Sequence, residues 1–215
     1  MKTALVAGAT GLVGKQLINE LISNDGFEKI IVIARRELSI SHPKLEVRLI
    51  NFDLLDELQL SDQIEACYCS LGTTQKKSGR EGMVKVDYEY VLNLAQLCKR
   101  LSISKFLVVS SQGANYNSSF FYLRTKGQME EAVKKSGVET VYVLRPSLIT
   151  GEREEFRFSE EMGYYLYKGL QPLMVGKLKK LRAVSGLQIA RCMIDLSQDD
   201  AKGNFTIESD FIQSY

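Results

Sequence analysis

Tyr122 and Lys126 stand four residues apart in Tyr122-Leu-Arg-Thr-Lys126. Residues at that spacing share one face of a helix, so a phenol and an ammonium would project side by side. An ammonium close to a phenol favours the ionised phenol, which makes the pair a usable proton donor and acceptor. The only histidine, His42, precedes Pro43 in a loop-like stretch, and one histidine supports neither a multi-histidine metal site nor, from that loop, a histidine triad. Proton chemistry is left to Tyr, Lys, Ser or carboxylates, and no bound metal is expected. Shortly before the tyrosine, Ser110 and Ser111 follow the apolar run Lys105-Phe-Leu-Val-Val109. If that run is a central strand, both hydroxyls lie at its carboxyl end, where open α/β sheets bind ligands.

A helix bearing Tyr122 and Lys126 needs a sheet to pack on, and the chain supplies its strands in order. Met1-Lys-Thr-Ala-Leu-Val-Ala7 reads as a buried parallel strand and runs into Gly8-Ala-Thr-Gly11-Leu-Val-Gly14. Behind these glycines Leu12, Leu17, Ile18, Leu21 and Ile22 recur at helical spacing. The glycines therefore occupy a strand-to-helix turn, where backbone N–H groups and the positive helix end can approach a phosphate. Gly8, Thr10, Gly11, Leu12, Val13 and Gly14 are the residues expected to cradle a dinucleotide there. The spacing G-x-x-G-x-x-G, rather than G-x-G-x-x-G, points to short-chain and extended-type dehydrogenases.

The second strand, Ile30-Ile-Val-Ile-Ala34, ends in Arg35-Arg36. In dinucleotide folds this strand end faces the adenosine ribose, where an acidic residue suits the 2′-OH of NAD and arginine the 2′-phosphate of NADP. Guanidinium pairs well with phosphate, so NADP is expected in preference to NAD, although Glu37 follows at once. A third strand, Leu45 to Ile50, delivers Asp53 and Leu54 to the adenine corner. Asp53 there either accepts from the adenine amino group or caps a short helix near Leu54 to Leu60. The fourth strand, Glu65 to Ser70, leads into Ser70, Leu71 and Gly72, which would lie against a cofactor ribose or pyrophosphate. The next stretch, Gln75 to Gly82, is basic and glycine-punctuated; it reads as a solvated loop, with a lid over the substrate as the second reading. Apolar periodicity from Met83 to Arg100 predicts an amphipathic helix with Asp87 near its start. Thr140 to Leu144 and Gly203 to Glu208 supply the last two strands. Between them, Phe158 to Leu181 read as an amphipathic helix covering the sheet, with a substrate wall as the alternative.

The chain has 215 residues, 45% apolar and 25% charged, and a formal net charge of +2. Such a chain buries one sizeable core, and its small charge implies neither a nucleic-acid nor a membrane partner. No apolar leader opens it and no run of about 18 apolar residues occurs, so a cytoplasmic protein is expected. Cys67, Cys69, Cys98 and Cys192 form no C-x-x-C pair, which predicts reduced, mostly buried thiols.

Taken together, these motifs resemble the short-chain dehydrogenase/reductase superfamily over nearly the whole chain. The likeness is closest to an atypical branch, the Tat-interacting-protein-type oxidoreductases. It is carried by Ala34-Arg-Arg36, Cys69-Ser-Leu-Gly-Thr-Thr74, Val109-Ser-Ser-Gln-Gly-Ala-Asn115, Phe121-Tyr-Leu-Arg-Thr-Lys-Gly127 and Leu144-Arg-Pro-Ser-Leu-Ile-Thr-Gly151. The resemblance implies that Ser111, with Ser110 as second choice, hydrogen-bonds a substrate carbonyl oxygen. It makes Tyr122 the proton donor and Lys126 the residue that holds the nicotinamide ribose and tunes the phenol. Pro146 and Ile149 would pack beside the nicotinamide, and Arg157 would reach the pyrophosphate or else form an exposed ion pair. Asp87 falls where many members carry an asparagine, a departure that bears on any proton relay.

The expected architecture is a doubly wound α/β Rossmann fold. Its sheet is mostly parallel, in the order 3-2-1-4-5-6-7, with helices on both faces. Residues 1–215 form one domain, with 152–185 as a small substrate-side elaboration, and the protein is a monomer or homodimer. The expected function is an NADP-dependent oxidoreductase acting on a carbonyl or alcohol. The alternative is an NADP-binding, redox-sensing regulatory or scaffold protein with little turnover.

Overall fold

The structure, a computed structural model, describes residues 2–150 and 182–215. Its organising strand is β1 (Lys2–Ala7), in which Ala4, Leu5, Val6 and Ala7 are fully buried. They are buried because β1 lies between β2 (Phe27–Ala34) and β4 (Ala66–Cys69) and is covered on both faces. A strand in that position reads as a continuous apolar run. Outward on one side lies β3 (Leu45–Leu49); on the other follow β5 (Lys105–Val109), β6 (Thr140–Arg145) and, after a short parallel pair β7 (Ile149–Thr150) and β8 (Val184–Ser185), β9 (Gly203–Glu208). The seven-stranded order β3-β2-β1-β4-β5-β6-β9 is the expected one, and every pairing in that sheet is parallel.

The chain builds outward from β1 to β3 and then returns to start the other half at β4. Beyond the carboxyl ends of β1 and β4 the connections therefore part in opposite directions, which is where this class of sheet opens a crevice for a ligand.

Strand alternation divides the core into two layers. Val6, Val32, Tyr68, Leu107 and Leu144 pack with Leu17, Ile18 and Leu21 of α1 (Leu12–Ser23). The same layer takes Ile189, Ala190 and Met193 of α5 (Gly186–Leu196). Leu5, Ile33, Cys67, Phe106 and Val143 face the other way, against Val91, Leu94 and Cys98 of α3 (Tyr90–Arg100) and Met129 and Val133 of α4 (Phe121–Lys134). Each fully buried Leu or Ile contributes about 1.5–3 kcal/mol, so both layers hold the helices firmly to the sheet. All four cysteines are free and buried.

Three local expectations change. Gln75 to Gly82, expected to be a loop, belongs to α2 (Gln75–Val84), broken at Gly79 with φ 70 and ψ −178. The Thr74 hydroxyl accepts a hydrogen bond from Lys77 N at 3.2 Å, a cap that starts a helix despite its polar composition. The helix expected from Met83 to Arg100 is interrupted too, by a π turn at Lys85–Glu89 between α2 and α3. Near Leu54 the expected short helix is a single 3₁₀ turn, Phe52–Leu54. It stays short because little of it is buried beyond Phe52.

Candidate cofactor-binding and active site

The glycine turn is shaped by contact with its neighbours. Gly8 has φ +91, and a Cβ there would lie 2.5 Å from the Ser70 carbonyl carbon; one on Gly14 would lie 2.1 Å from Gly8 O. Both positions exclude side chains, whereas a Cβ on Gly11 would meet only Gly8 O at 3.4 Å. Gly11 caps α1 without a side-chain acceptor, and the first turn holds no acidic residue. The N–H groups of Leu12, Val13 and Gly14 thus have no intrahelical acceptor, and the helix end favours an anion. Across the switch point, Ser70 Oγ donates to Ala7 O and Gly8 O at 3.3 and 3.2 Å. This donor set fits a dinucleotide pyrophosphate. Exposed Thr10 stands at the rim of the turn, and half-buried Leu71 and Gly72 continue from β4.

Arg35 and Arg36 are exposed at the end of β2, and neither joins an ion pair among the described residues. Asp53 resolves differently from its capping alternative: Asn51 caps the 3₁₀ turn, its side chain accepting from Asp53 N at 3.0 Å. The Asp53 carboxylate instead pairs with Lys85, 2.8 Å from Oδ1 and 3.0 Å from Oδ2. Its hydrogen bond with Lys85 lowers the carboxyl below its ordinary value. Leu54 is half exposed beside it.

At the carboxyl end of β5 the two serines part. Ser110 is 4% exposed, and its hydroxyl donates to Glu130 Oε1 at 2.5 Å. Ser111 is half-buried and donates only to Gln112 O, at 3.3 Å. Ser111 is the freer of the two. Tyr122 stands half-buried in the first turn of α4. One turn on, Lys126 is 2% exposed and its Nζ lies 2.8 Å from Oδ1 of Asp87, which is fully buried. The π turn carries Asp87 inward, where its Oδ2 accepts from Thr73 N at 2.7 Å. Asp87 thereby connects the loop after β4 to the lysine of α4. Pro146 is buried and its carbonyl accepts from Gln112 N at 2.9 Å; Ile149 is half-buried in β7. Arg157, the span 158–181 and nearly all of 152–185 lie outside the described residues.

Sequence reasoning missed three contributors. Glu130 and Arg145 form an ion pair at 2.6 Å behind Ser110, and the hydrogen bond to Glu130 raises the Arg145 guanidinium further above its ordinary value. Gly127 is required because a Cβ would come within 2.2 Å of Asn115 C. The available signal was Glu130 at one further helical repeat from Tyr122 and Lys126. At the start of α4, Phe121 is flanked by Arg80 and Arg124, whose guanidinium carbons lie 5.2 and 5.7 Å from the ring centroid.

Comparison with known proteins shows the family and the fold. A family model described as NAD(P)H-binding matches residues 8–166. Rat Protein HTATIP2 is 35% identical over 163 residues, covering 74% of this chain and 67% of the relative. A mitochondrial fmp52 protein of Emericella nidulans is 32% identical over 173 residues, covering 77% and 74%. Among solved structures, the Bordetella bronchiseptica enzyme WbmH in complex with NAD+ superposes with a TM-score of 0.69 at 15% identity, covering 97% of this chain and 76% of that one, a likeness of fold.

These relatives correct one expectation. Fungal relatives are named as mitochondrial proteins, which overturns the cytoplasmic assignment. Organelle-targeting segments are amphipathic and basic rather than apolar, so apolar character is no guide to such a location. No helix among the described residues is long and apolar enough to cross a membrane. With its glycine turn, parallel sheet and matched sequence, the chain belongs to the NAD(P)H-binding family, as an atypical short-chain dehydrogenase/reductase of the HTATIP2 type.

Proposed function

We propose that the protein is an NADP-dependent oxidoreductase that interconverts a carbonyl and an alcohol, with Tyr122 as proton donor and acceptor. The observation that carries this reading is that the glycine turn after β1, Ser111 after β5 and the start of α4 with Tyr122 all follow the carboxyl ends of strands in one parallel sheet. Residues 1–215 are read as one domain, with 152–185 on its substrate side. Gly8 to Gly14 and the first N–H groups of α1 would hold the pyrophosphate, and Arg35 and Arg36 the 2′-phosphate. Ser70, Leu71 and Gly72 would lie along the ribose, Asp53 and Leu54 near the adenine, and Pro146 and Ile149 beside the nicotinamide. When bound, the dinucleotide supplies or accepts the two electrons of the reaction.

Ser111 donates a hydrogen bond to the substrate carbonyl oxygen and fixes its direction. Tyr122 gives that oxygen its proton as the carbon is reduced, and takes the hydroxyl proton back in the opposite direction. Lys126 stabilises the phenolate left behind and holds the nicotinamide ribose. The test is NADPH oxidation with a panel of aldehydes and ketones, for wild type and Tyr122→Phe. Turnover in the wild type that falls by roughly 100-fold or more in the variant supports the reading. Tight NADPH binding with no turnover in the wild type overturns it.

One observation favours a second reading, an NADP-binding regulatory protein with little turnover. The charge of Lys126 is matched at 2.8 Å by Asp87, which reduces the field that the ammonium exerts on Tyr122. That reading requires cofactor binding to survive while every carbonyl in the panel is left unreduced.

A further inference from the structure

Glu130 is four residues after Lys126 and eight after Tyr122, so all three side chains leave α4 along one stripe. Its residue is 1% exposed. Besides Ser110 Oγ at 2.5 Å, its carboxylate accepts from Arg145 Nε at 3.0 and 3.2 Å and from Nη2 at 2.6 Å. Arg145 Nη1 reaches on to Glu208 Oε1 at 3.3 Å. One buried carboxylate therefore ties α4 to the end of β5 and to β6, and through Arg145 to β9. An apolar side chain would hold the helix without the desolvation that a buried ion pair requires. What an apolar residue would not provide is direction.

That direction bears on the loop that carries Ser111. Ala114 N donates to Ser111 O at 3.1 Å, and Asn115 N donates to Leu123 O of α4 at 3.1 Å. The bare Cα of Gly127 lets this loop lie directly on the helix. With the Ser110 hydroxyl turned inward to Glu130, only its neighbour Ser111 is left to present a hydroxyl to a ligand.

We propose that Glu130, acting through Ser110 and Arg145, is the positioning residue that sets Ser111 against Tyr122, a role that rests on the oxidoreductase reading above. Neither Glu130 nor Ser110 touches the substrate. Glu130 selects which of two adjacent serines faces it and holds α4 in register with the end of β5. A displacement of about 1 Å between such groups costs up to roughly 100-fold in rate.

The test compares wild type with Glu130→Gln, which keeps an acceptor for Ser110 but loses the charge, and with Ser110→Ala, which keeps the Glu130–Arg145 pair. In both, kcat for carbonyl reduction is expected to fall by roughly 10- to 100-fold while NADPH affinity is retained. In a Tyr122→Phe background, Glu130→Gln is expected to add no further loss, because the two act as one unit. A lower melting temperature with unchanged kcat, or fully additive losses, overturns the proposal. If the wild type reduces no carbonyl, the oxidoreductase reading fails separately, and positioning is then read from amide hydrogen exchange. The Ala114 and Asn115 N–H groups are expected to exchange roughly tenfold faster in Glu130→Gln; unchanged exchange overturns the proposal.

Discussion

Lys126 Nζ lies 2.8 Å from Asp87 Oδ1, with the two side chains 2% and 0% exposed. An ammonium and a carboxylate have thus been taken out of water together, and each makes the burial of the other tolerable. Removing Asp87 takes from the buried Lys126 the carboxylate 2.8 Å away. Asp87→Ala is expected to destabilise the protein by about 3–5 kcal/mol, read by urea denaturation. Asp87→Asn, which retains an acceptor for Thr73 N, is expected to lose less. If the pair restrains turnover, Asp87→Asn raises kcat; an unchanged or lower kcat removes that support from the regulatory reading.

The glycines of the first turn should not tolerate substitution equally. A Cβ on Gly14 meets the Gly8 carbonyl oxygen at 2.1 Å, a backbone atom that cannot swing aside. Gly14→Ala is expected to cost about 1–3 kcal/mol of stability and to abolish NADPH binding followed by fluorescence. Gly11→Ala, with its nearest contact at 3.4 Å, is expected to fold normally. Equal tolerance at both positions would refute the close-approach account.

Arg35 and Arg36 are exposed and outside every ion pair among the described residues, so their contribution should appear in cofactor choice rather than in stability. The double variant Arg35→Ala, Arg36→Ala is expected to weaken NADPH binding by roughly tenfold or more and to leave NADH binding unchanged, as measured by calorimetry. Added salt should erode the same preference, because exposed charges are screened. Equal affinity of the wild type for both cofactors would contradict the assignment.

Burial pushes the Cys69 and Cys192 thiols from the ordinary 9.0 up to about 12. A group whose pKa is raised by folding supports the folded state fully below its unfolded value. That support is lost as pH climbs from about 9 toward 12, because only the unfolded chain releases the proton there. Stability measured by denaturant is therefore expected to decline across this alkaline window, and less so in Cys69→Ala after correction for its lower starting stability. At pH 8 a thiol reagent should label native protein far more slowly than protein in urea. Rapid labelling of all four cysteines in the native state would rule out their burial.

Much of this protein was legible before any coordinate. The apolar runs at β1, β2 and β5 and the glycine turn between β1 and α1 follow from short-range constraints. A strand covered on both faces must be continuously apolar, and a turn that meets a neighbouring backbone must lack side chains. The spacing of Tyr122 and Lys126 on one helical stripe was equally readable. Local composition misled at Gln75 to Gly82, where a threonine cap outweighed a polar, glycine-bearing sequence.

By itself the sequence determined the strand order, the layers and the residue types available for chemistry, because hydrophobic period and turn chemistry act over a few residues. Only the tertiary structure decided which partners those residues take. Asp87 meets Lys126 from 39 positions away in the chain because a π turn points it inward. Asp53 pairs with Lys85 rather than capping its turn, and Ser110 is claimed by Glu130 while Ser111 is left freer. Electrostatic pairing depends on distance and burial in space, which spacing along the chain does not specify.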